Sequence, residues 1–307
     1  MLNLFKKYQV NQSNIIFENG QSIEFIGFWP GFNAMEDFGI WPELINKYCK
    51  KKDLRVLGPF WKKKDRKIYE NIALEKGLWD LFITGESRDN PTDLARISIG
   101  FRPSNNINEI RFPYWQWYLD WPQFELKPAY ERFGERFSLS QLMQPISTYH
   151  GDVSRESFFK RKPKAVLLTS HLKRHRLKLY RQCKFSIGCD LYGRKFNPIN
   201  QPKKQLLSRY EINLCPENSL SKGYITEKIP EAFISGCIPI TYCKPEDLEL
   251  DFNPKAVVNL YGLSGWKVRK KLKKITTDFE YYTRLRNEPL IKKRPTIEPL
   301  ISLLSKC

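Results

Sequence analysis

Short runs of β-branched and aromatic residues recur along most of this 307-residue chain, each closed by glycine or a polar turn and followed by helical spacing. In the first half Ser22–Phe28, Leu54–Leu57, Trp79–Thr84 and Ile97–Phe101 read as strands, with a helix over Gly39–Lys51. In the second half strands are predicted over Ala165–Thr169, Phe185–Tyr192, Ile212–Cys215, Ile238–Tyr242 and Ala256–Leu260. Helices are predicted there over Leu172–Cys183, Lys203–Tyr210 and Ile225–Ser235. Strands this short and apolar are buried on both faces, which calls for a parallel sheet with crossover helices. The pattern predicts an α/β protein of two doubly wound, Rossmann-like domains facing a cleft. Ligands would bind where the strands end.

A chain of this length exceeds one ordinary core. The polar, basic stretch 151–163 is the candidate linker. It divides the chain into 1–155, 156–265 and a basic tail, 266–307. Residues 111–150, rich in Trp, Tyr, Phe and Pro without a clear period, read as loop and short helix. No repeat of 20–50 residues stands out.

The formal net charge is +19. It admits a plain solvated surface, a nucleic acid, an anionic membrane face or a phosphorylated substrate. From Trp266 to Cys307 there are twelve Lys/Arg against four Asp/Glu, interspersed with leucines. Such a tail is expected to rest on an anionic membrane face rather than enter a DNA groove. No recognition helix or aromatic RNA-binding motif is present. The seven cysteines lack C-x-x-C spacing and the three histidines form no metal-ligand motif, so reduced thiols and no structural zinc are expected. Met1–Lys7 has no apolar h-region, and no run reaches 18 apolar residues. The expectation is a cytoplasmic protein.

The segment 212–240 carries the chemistry. A buried strand ends at Cys215 and delivers Glu217 and Asn218 into a polar loop. The loop passes Gly223 into a helix that starts near Thr226, and Pro230 fits only in a first helical turn. Tyr224, Ile225, Thr226, Glu227 and Lys228 therefore gather at a helix N-terminus, where free N–H groups and the dipole favour phosphate and Lys228 adds a full charge. Glu227 suits a ribose diol. The plain alternative is a capped helix with Glu227 complementing the dipole and Lys228 in solvent.

Taken together, Glu217-Asn218-Ser219, Gly223-Tyr224-Ile225-Thr226-Glu227-Lys228 and Gly236-Cys237-Ile238-Pro239-Ile240 resemble the hallmark of the α-1,3-fucosyltransferase family, bacterial members included. Thr84-Gly85-Glu86, Ile97–Phe101, Arg111–Trp115 and Asp190-Leu191-Tyr192-Gly193-Arg194 agree in order, and the resemblance spans roughly 22–262. It implies a GT-B-type fold, with an acceptor-binding first domain (1–155) and a GDP-fucose-binding second domain (156–265). It implies inverting transfer of L-fucose from GDP-β-L-fucose to an acceptor sugar or glycolipid. Arg176, Asn218, Tyr224, Ile225, Thr226, Glu227 and Lys228 are carried over as donor-binding, with Arg176 and Lys228 catalytic on the leaving diphosphate and Glu86 as the base. Where the family shows Ser-Asn, this chain has Thr169-Ser170-His171, so no contact is carried over there.

The residue types suit that chemistry. A carboxylate past a strand end can deprotonate a hydroxyl, although Glu86 also reads as a turn residue paired with Arg88. Fixed cations stabilise charge on the leaving phosphate. No D-x-D pair stands apart to hold a metal, so no cofactor is required and a divalent cation would at most stimulate. A same-fold transferase using another GDP-sugar and, in a different class, a nucleic-acid-binding protein are the alternatives.

Overall fold

The structure, a computed structural model, describes residues 12–123 and 130–307. The opening residues, read above for a leader, and 124–129, which lie within the aromatic region, fall outside them. The described chain divides into two compact units, 12–118 with 295–307, and 119–123 with 130–294.

The first unit holds a six-stranded sheet: β1 (Gln12–Ile16), β2 (Ser22–Ile26), β3 (Asp53–Leu57), β4 (Trp79–Ile83), β5 (Ala95–Gly100) and β6 (Glu109–Arg111). They lie side by side in chain order. β1 is antiparallel to β2 and every later pair is parallel. All five residues of β4 are buried, as a strand covered on both faces requires. One face is filled by an aromatic cluster from Phe25, Phe28, Phe32 and Phe38, joined by Trp41 of the helix α2 (Trp41–Tyr48), which follows the short α1 (Ala34–Asp37). On the other, Tyr69, Ile72 and Ala73 of α3 (Arg66–Lys76) pack with Leu57, Trp79 and Phe82. Burying one such side chain contributes roughly 2 kcal/mol.

In the second unit α4 (Leu139–Leu142), α5 (Ile146–His150) and α6 (Arg155–Lys160) precede a five-stranded parallel sheet. Its elements are β7 (Ala165–Leu168), α7 (Arg174–Ile187), β8 (Cys189–Tyr192), α8 (Lys203–Leu207), β9 (Ile212–Leu214), α9 (Lys228–Ile234), β10 (Ile238–Thr241), α10 (Pro245–Glu249) and β11 (Val258–Asn259). Two further helices follow, α11 (Gly265–Thr277) and α12 (Phe279–Arg286). The strand order is β11-β10-β9-β7-β8. The chain steps outward from β7 to β8, then returns past β7 to β9. That reversal defines a doubly wound sheet and opens a crevice between the ends of β7 and β9. Among the described residues the first sheet contains no such reversal, so the winding predicted for both halves is found in the second.

Three boundaries differ from the sequence reading. The proposed linker is folded into the second unit. Ser154 caps α6, Phe158 is buried, and the Arg161 guanidinium lies 4.1 Å from the ring centres of both Phe158 and Tyr282. The domain boundaries at 155/156 and 265/266 move accordingly to 118/119 and 294/295. The basic tail is not a separate segment either. Val268, Leu272 and Ile275 make one apolar stripe on α11 and enter the second core, while α13 (Glu298–Leu304) belongs to the first unit. Phe185–Ile187, expected as strand, continues α7 until Gly188 (φ +80) stops it, and Phe185 is exposed. No helix among the described residues is long and apolar enough to cross a membrane.

Candidate active site

The crevice between β7 and β9 is closed by side chains from both strand ends. β9 is fully buried, and beyond it Cys215 is still held by the sheet, its N–H donating to the Ile240 carbonyl at 2.7 Å. Two residues on, the Glu217 carboxylate is 1% exposed. It accepts from the Thr226 N–H (2.8 Å), the Thr226 hydroxyl (2.9 and 3.0 Å) and Lys228 Nζ (2.9 Å). Lys228 also donates to the Thr226 hydroxyl. The loop between them turns at Gly223, whose φ of +73° suits glycine and whose N–H donates to Asp247 Oδ1 at 2.7 Å. α9 starts at Lys228, two to three residues later than predicted, and Pro230 sits in its first turn.

Arg176, on the first turn of α7, is 3% exposed. Its guanidinium donates to the carbonyls of Glu217 (3.2 Å), Pro216 (3.0 Å) and His171 (3.3 Å) and to the Thr169 hydroxyl (2.8 Å). His175 joins it, Nε2 lying 2.8 Å from the Glu217 carbonyl. Arg176 thus ties the end of β7 to the end of β9. Its donors serve the chain itself, where the sequence reading places a diphosphate. Burial pushes its pKa down, against Glu217 and Glu227.

The remaining charges form a chain along α9. Lys228 lies 3.5 Å from Glu227, and Lys203 lies 3.9 Å from Glu227 and 2.7 Å from Glu231. Glu231 also accepts from the hydroxyl of the buried Tyr130 at 2.7 Å. Burial works against charge on Glu227, but Lys228 and then Lys203 reverse it and hold the carboxyl down to about 2. For Lys228 burial is likewise outweighed, by Glu217 and then Glu227, and its pKa rises. Glu231, more deeply buried, is pushed up. Glu227 and Lys228 each favour the other's charged form, and the surrounding hydrogen bonds and ion pairs lock the crevice before any ligand enters. Asn218, half-buried beside them, makes no side-chain hydrogen bond among the described residues and is open to a ligand.

Tyr224, Ile225 and Thr226 are buried with this loop. Sequence reasoning missed the roles of Glu217, His175, Lys203, Glu231 and Tyr130. Glu217 stood inside the motif and was a legible candidate. Tyr130 lies in a segment without motif or period and Lys203 opens a predicted helix that carries no motif, so no local signal marks either as a site residue. Gly193, in the Asp190–Arg194 motif, brings its backbone against β7: a Cβ there would stand 1.9 Å from the Thr169 carbonyl oxygen.

Glu86 is in the first unit, exposed on the turn after β4. The Thr84 hydroxyl accepts its N–H at 3.0 Å, and Gly85 abuts the Tyr114 ring, where a Cβ would come within 2.5 Å. The T-G-E and R-x-P-Y segments, read separately in the sequence, therefore form one corner. Arg88 lies over the Trp61 ring at 4.5 Å and donates to the Trp61 carbonyl. An open concavity of 530 Å³ on α11 and α12, lined by Lys274, Asp278, Tyr281 and Arg284 among others, shares no residue with either corner. Asp278 there is already engaged in capping α12.

Residues 159–287 match the family description "Glycosyltransferase family 10 (fucosyltransferase) C-term". This segment is similar to the glycosyltransferase family 10 domain. The Glu217–Lys228 crevice lies inside the matched segment. An Alpha-(1,3)-fucosyltransferase FucT of Helicobacter pylori is 48% identical over 64 residues, which make up 21% of this chain and 13% of that protein's length. Among solved structures, one of an alpha1,3-fucosyltransferase superposes with a TM-score of 0.64 at 20% identity, covering 92% of this chain and 88% of the other. Another, of alpha1,3-fucosyltransferase with GDP-fucose, gives 0.56 at 18% identity, over 87% and 96%. At these identities the likeness is one of fold, and it agrees with the α/β, GT-B-type architecture predicted from the sequence.

Proposed function

We propose that this chain transfers L-fucose from GDP-β-L-fucose, with inversion, to a sugar hydroxyl, O3 of GlcNAc in an N-acetyllactosamine-type glycan or glycolipid. The observation that carries the reading is the charged crevice at the strand reversal, set within the segment similar to the family 10 domain. Asn218 and the ionised Glu227 offer polar groups to the nucleotide, and Lys228 offers its cation to the diphosphate. Arg176 acts by holding the Glu217 loop in place. Glu86 takes the proton of the attacking hydroxyl. The new C–O bond forms at the anomeric carbon as its bond to phosphate breaks, and the electron pair leaves on the β-phosphate of GDP. Cations near that oxygen favour the transition state over the ground state. The reaction is read as needing no metal, and EDTA should leave turnover within about twofold. The setting proposed is the cytoplasmic face of a bacterial membrane.

The test is GDP release from GDP-fucose with and without N-acetyllactosamine. Acceptor-dependent release is expected, and GDP-mannose should compete poorly. Turnover of GDP-mannose in preference would instead place the enzyme with the other GDP-sugar transferases. Glu86→Ala should abolish transfer and leave GDP affinity within about twofold. Loss of GDP binding in that variant would remove Glu86 as the base.

A further inference from the structure

At the carboxyl ends of β2 and β3 the first unit exposes two large rings on a rigid corner. The turn after β2 runs Gly27-Phe28-Trp29, and the turn after β3 runs Gly58-Pro59-Phe60-Trp61. Backbone bonds lock them together. Gly58 N–H donates to the Ile26 carbonyl and Phe60 N–H to the Gly27 carbonyl, both at 2.7 Å. The approach is close enough that a Cβ at Gly58 would stand 2.7 Å from the Phe28 ring. This places the Trp29 and Phe60 rings 5.0 Å apart and nearly perpendicular, at 80°. Behind them Trp29 meets Phe32 edge-on, and Phe32 stacks on the buried Phe28 at 4.2 Å. Phe60 nonetheless remains 45% exposed and Trp29 is half-buried.

The corner is coupled to the turn that carries Glu86. Arg88 covers the Trp61 ring, donates to the Trp61 carbonyl, and through its own N–H donates to the Glu86 carbonyl at 2.7 Å. One residue therefore joins the Phe60-Trp61 turn to the candidate base.

We propose that Trp29 and Phe60 are the platform on which a sugar ring of the acceptor lies, with Glu86 at its edge. This rests on the transferase reading above. A pyranose presents an apolar face of C–H bonds, slightly positive, with hydroxyls around the rim. An aromatic face, negative at its centre, complements that face while leaving the rim hydroxyls to polar neighbours. Two perpendicular rings form a corner that fits a ring and its substituent. The rings bear no charge, which suits a neutral saccharide better than an anionic donor. Their backbone is held by glycine contacts and a buried aromatic layer, so little ordering remains to be done on binding.

The test uses the full chain with Trp29→Ala, Phe60→Ala and the conservative Phe60→Tyr. Binding of N-acetyllactosamine, lactose and chitobiose is measured by saturation-transfer NMR without donor, and GDP release is followed in parallel. Each alanine variant should weaken glycan binding about tenfold, with GDP affinity and Tm retained, while Phe60→Tyr stays within about twofold of wild type. Unchanged glycan binding in both alanine variants, or none by the wild-type protein, would overturn the platform. Absence of GDP release with glycan binding that still depends on Trp29 and Phe60 would refute the reaction and leave the platform standing.

Discussion

Glu217 decides much of what Lys228 can do. A carboxylate this deeply buried is tolerable only because Lys228 and Thr226 answer it, so the pair is structural before it is functional. Lys228→Ala should cost about 3 kcal/mol of stability by chemical denaturation, since it strands that charge. The double variant Glu217→Gln with Lys228→Met should recover most of the stability and still turn over at least ~100-fold more slowly, because no cation faces the leaving phosphate. Recovery of both would make Lys228 purely structural. Glu227 permits a pH test. Its folded pKa, about 2, lies below the ordinary carboxylate value. Its contribution is therefore fully present at neutral pH and is lost as pH falls from about 4.5 towards 2. Denaturant titrations across that range should show a shallower loss of stability with acid in Glu227→Gln than in wild type. Equal slopes would show that Glu227 is not held ionised.

At the scale of elements, the strand reversal between β7 and β9 makes the crevice, and Arg176 keeps its two lips together. The D-x-Y-G-R segment contributes by absence: Gly193 lets the end of β8 reach the Thr169 carbonyl. Gly193→Ala places a methyl group 1.9 Å from that oxygen at a φ of +147°, so the strand end must move. The expected result is a loss of more than about 3 kcal/mol and of GDP affinity together, measured by thermal unfolding and calorimetry. A variant of wild-type stability would show that this strand end yields easily.

For the whole molecule, the question is what the basic C-terminal stretch does. Its lysines face solvent apart from Lys271, which is half-buried and donates to the Asn259 carbonyl, but Val268, Leu272 and Ile275 complete the second core, and the last helix belongs to the first unit. Removing 266–307 should therefore give insoluble or unfolded protein rather than a soluble enzyme that has lost a surface contact. Leu272→Ala, the graded version, should cost about 2–5 kcal/mol, against under ~0.5 kcal/mol for a residue on a detached tail. The positions of β2 to β5, β7 to β11, α2 and α7 to α9 were legible from the sequence to within a few residues because short apolar runs and helical spacing are local properties, whereas β1, β6, α3 and the last three helices were not read. The crevice loop was legible for a related reason: Gly223, Thr226, Lys228 and Pro230 lie within eight positions of one another, and the chemistry of a helix start is local. What only the tertiary structure decided depends on residues far apart in the chain. It set Arg176 against the carbonyls at 216 and 217, Lys203 and Tyr130 against Glu231, and Trp29 against Phe60. It also drew the basic tail into a core. Each of these is a contact between segments with no shared period. A buried charge or an apolar stripe takes its partner from wherever the fold brings one, and neighbouring residues do not announce it.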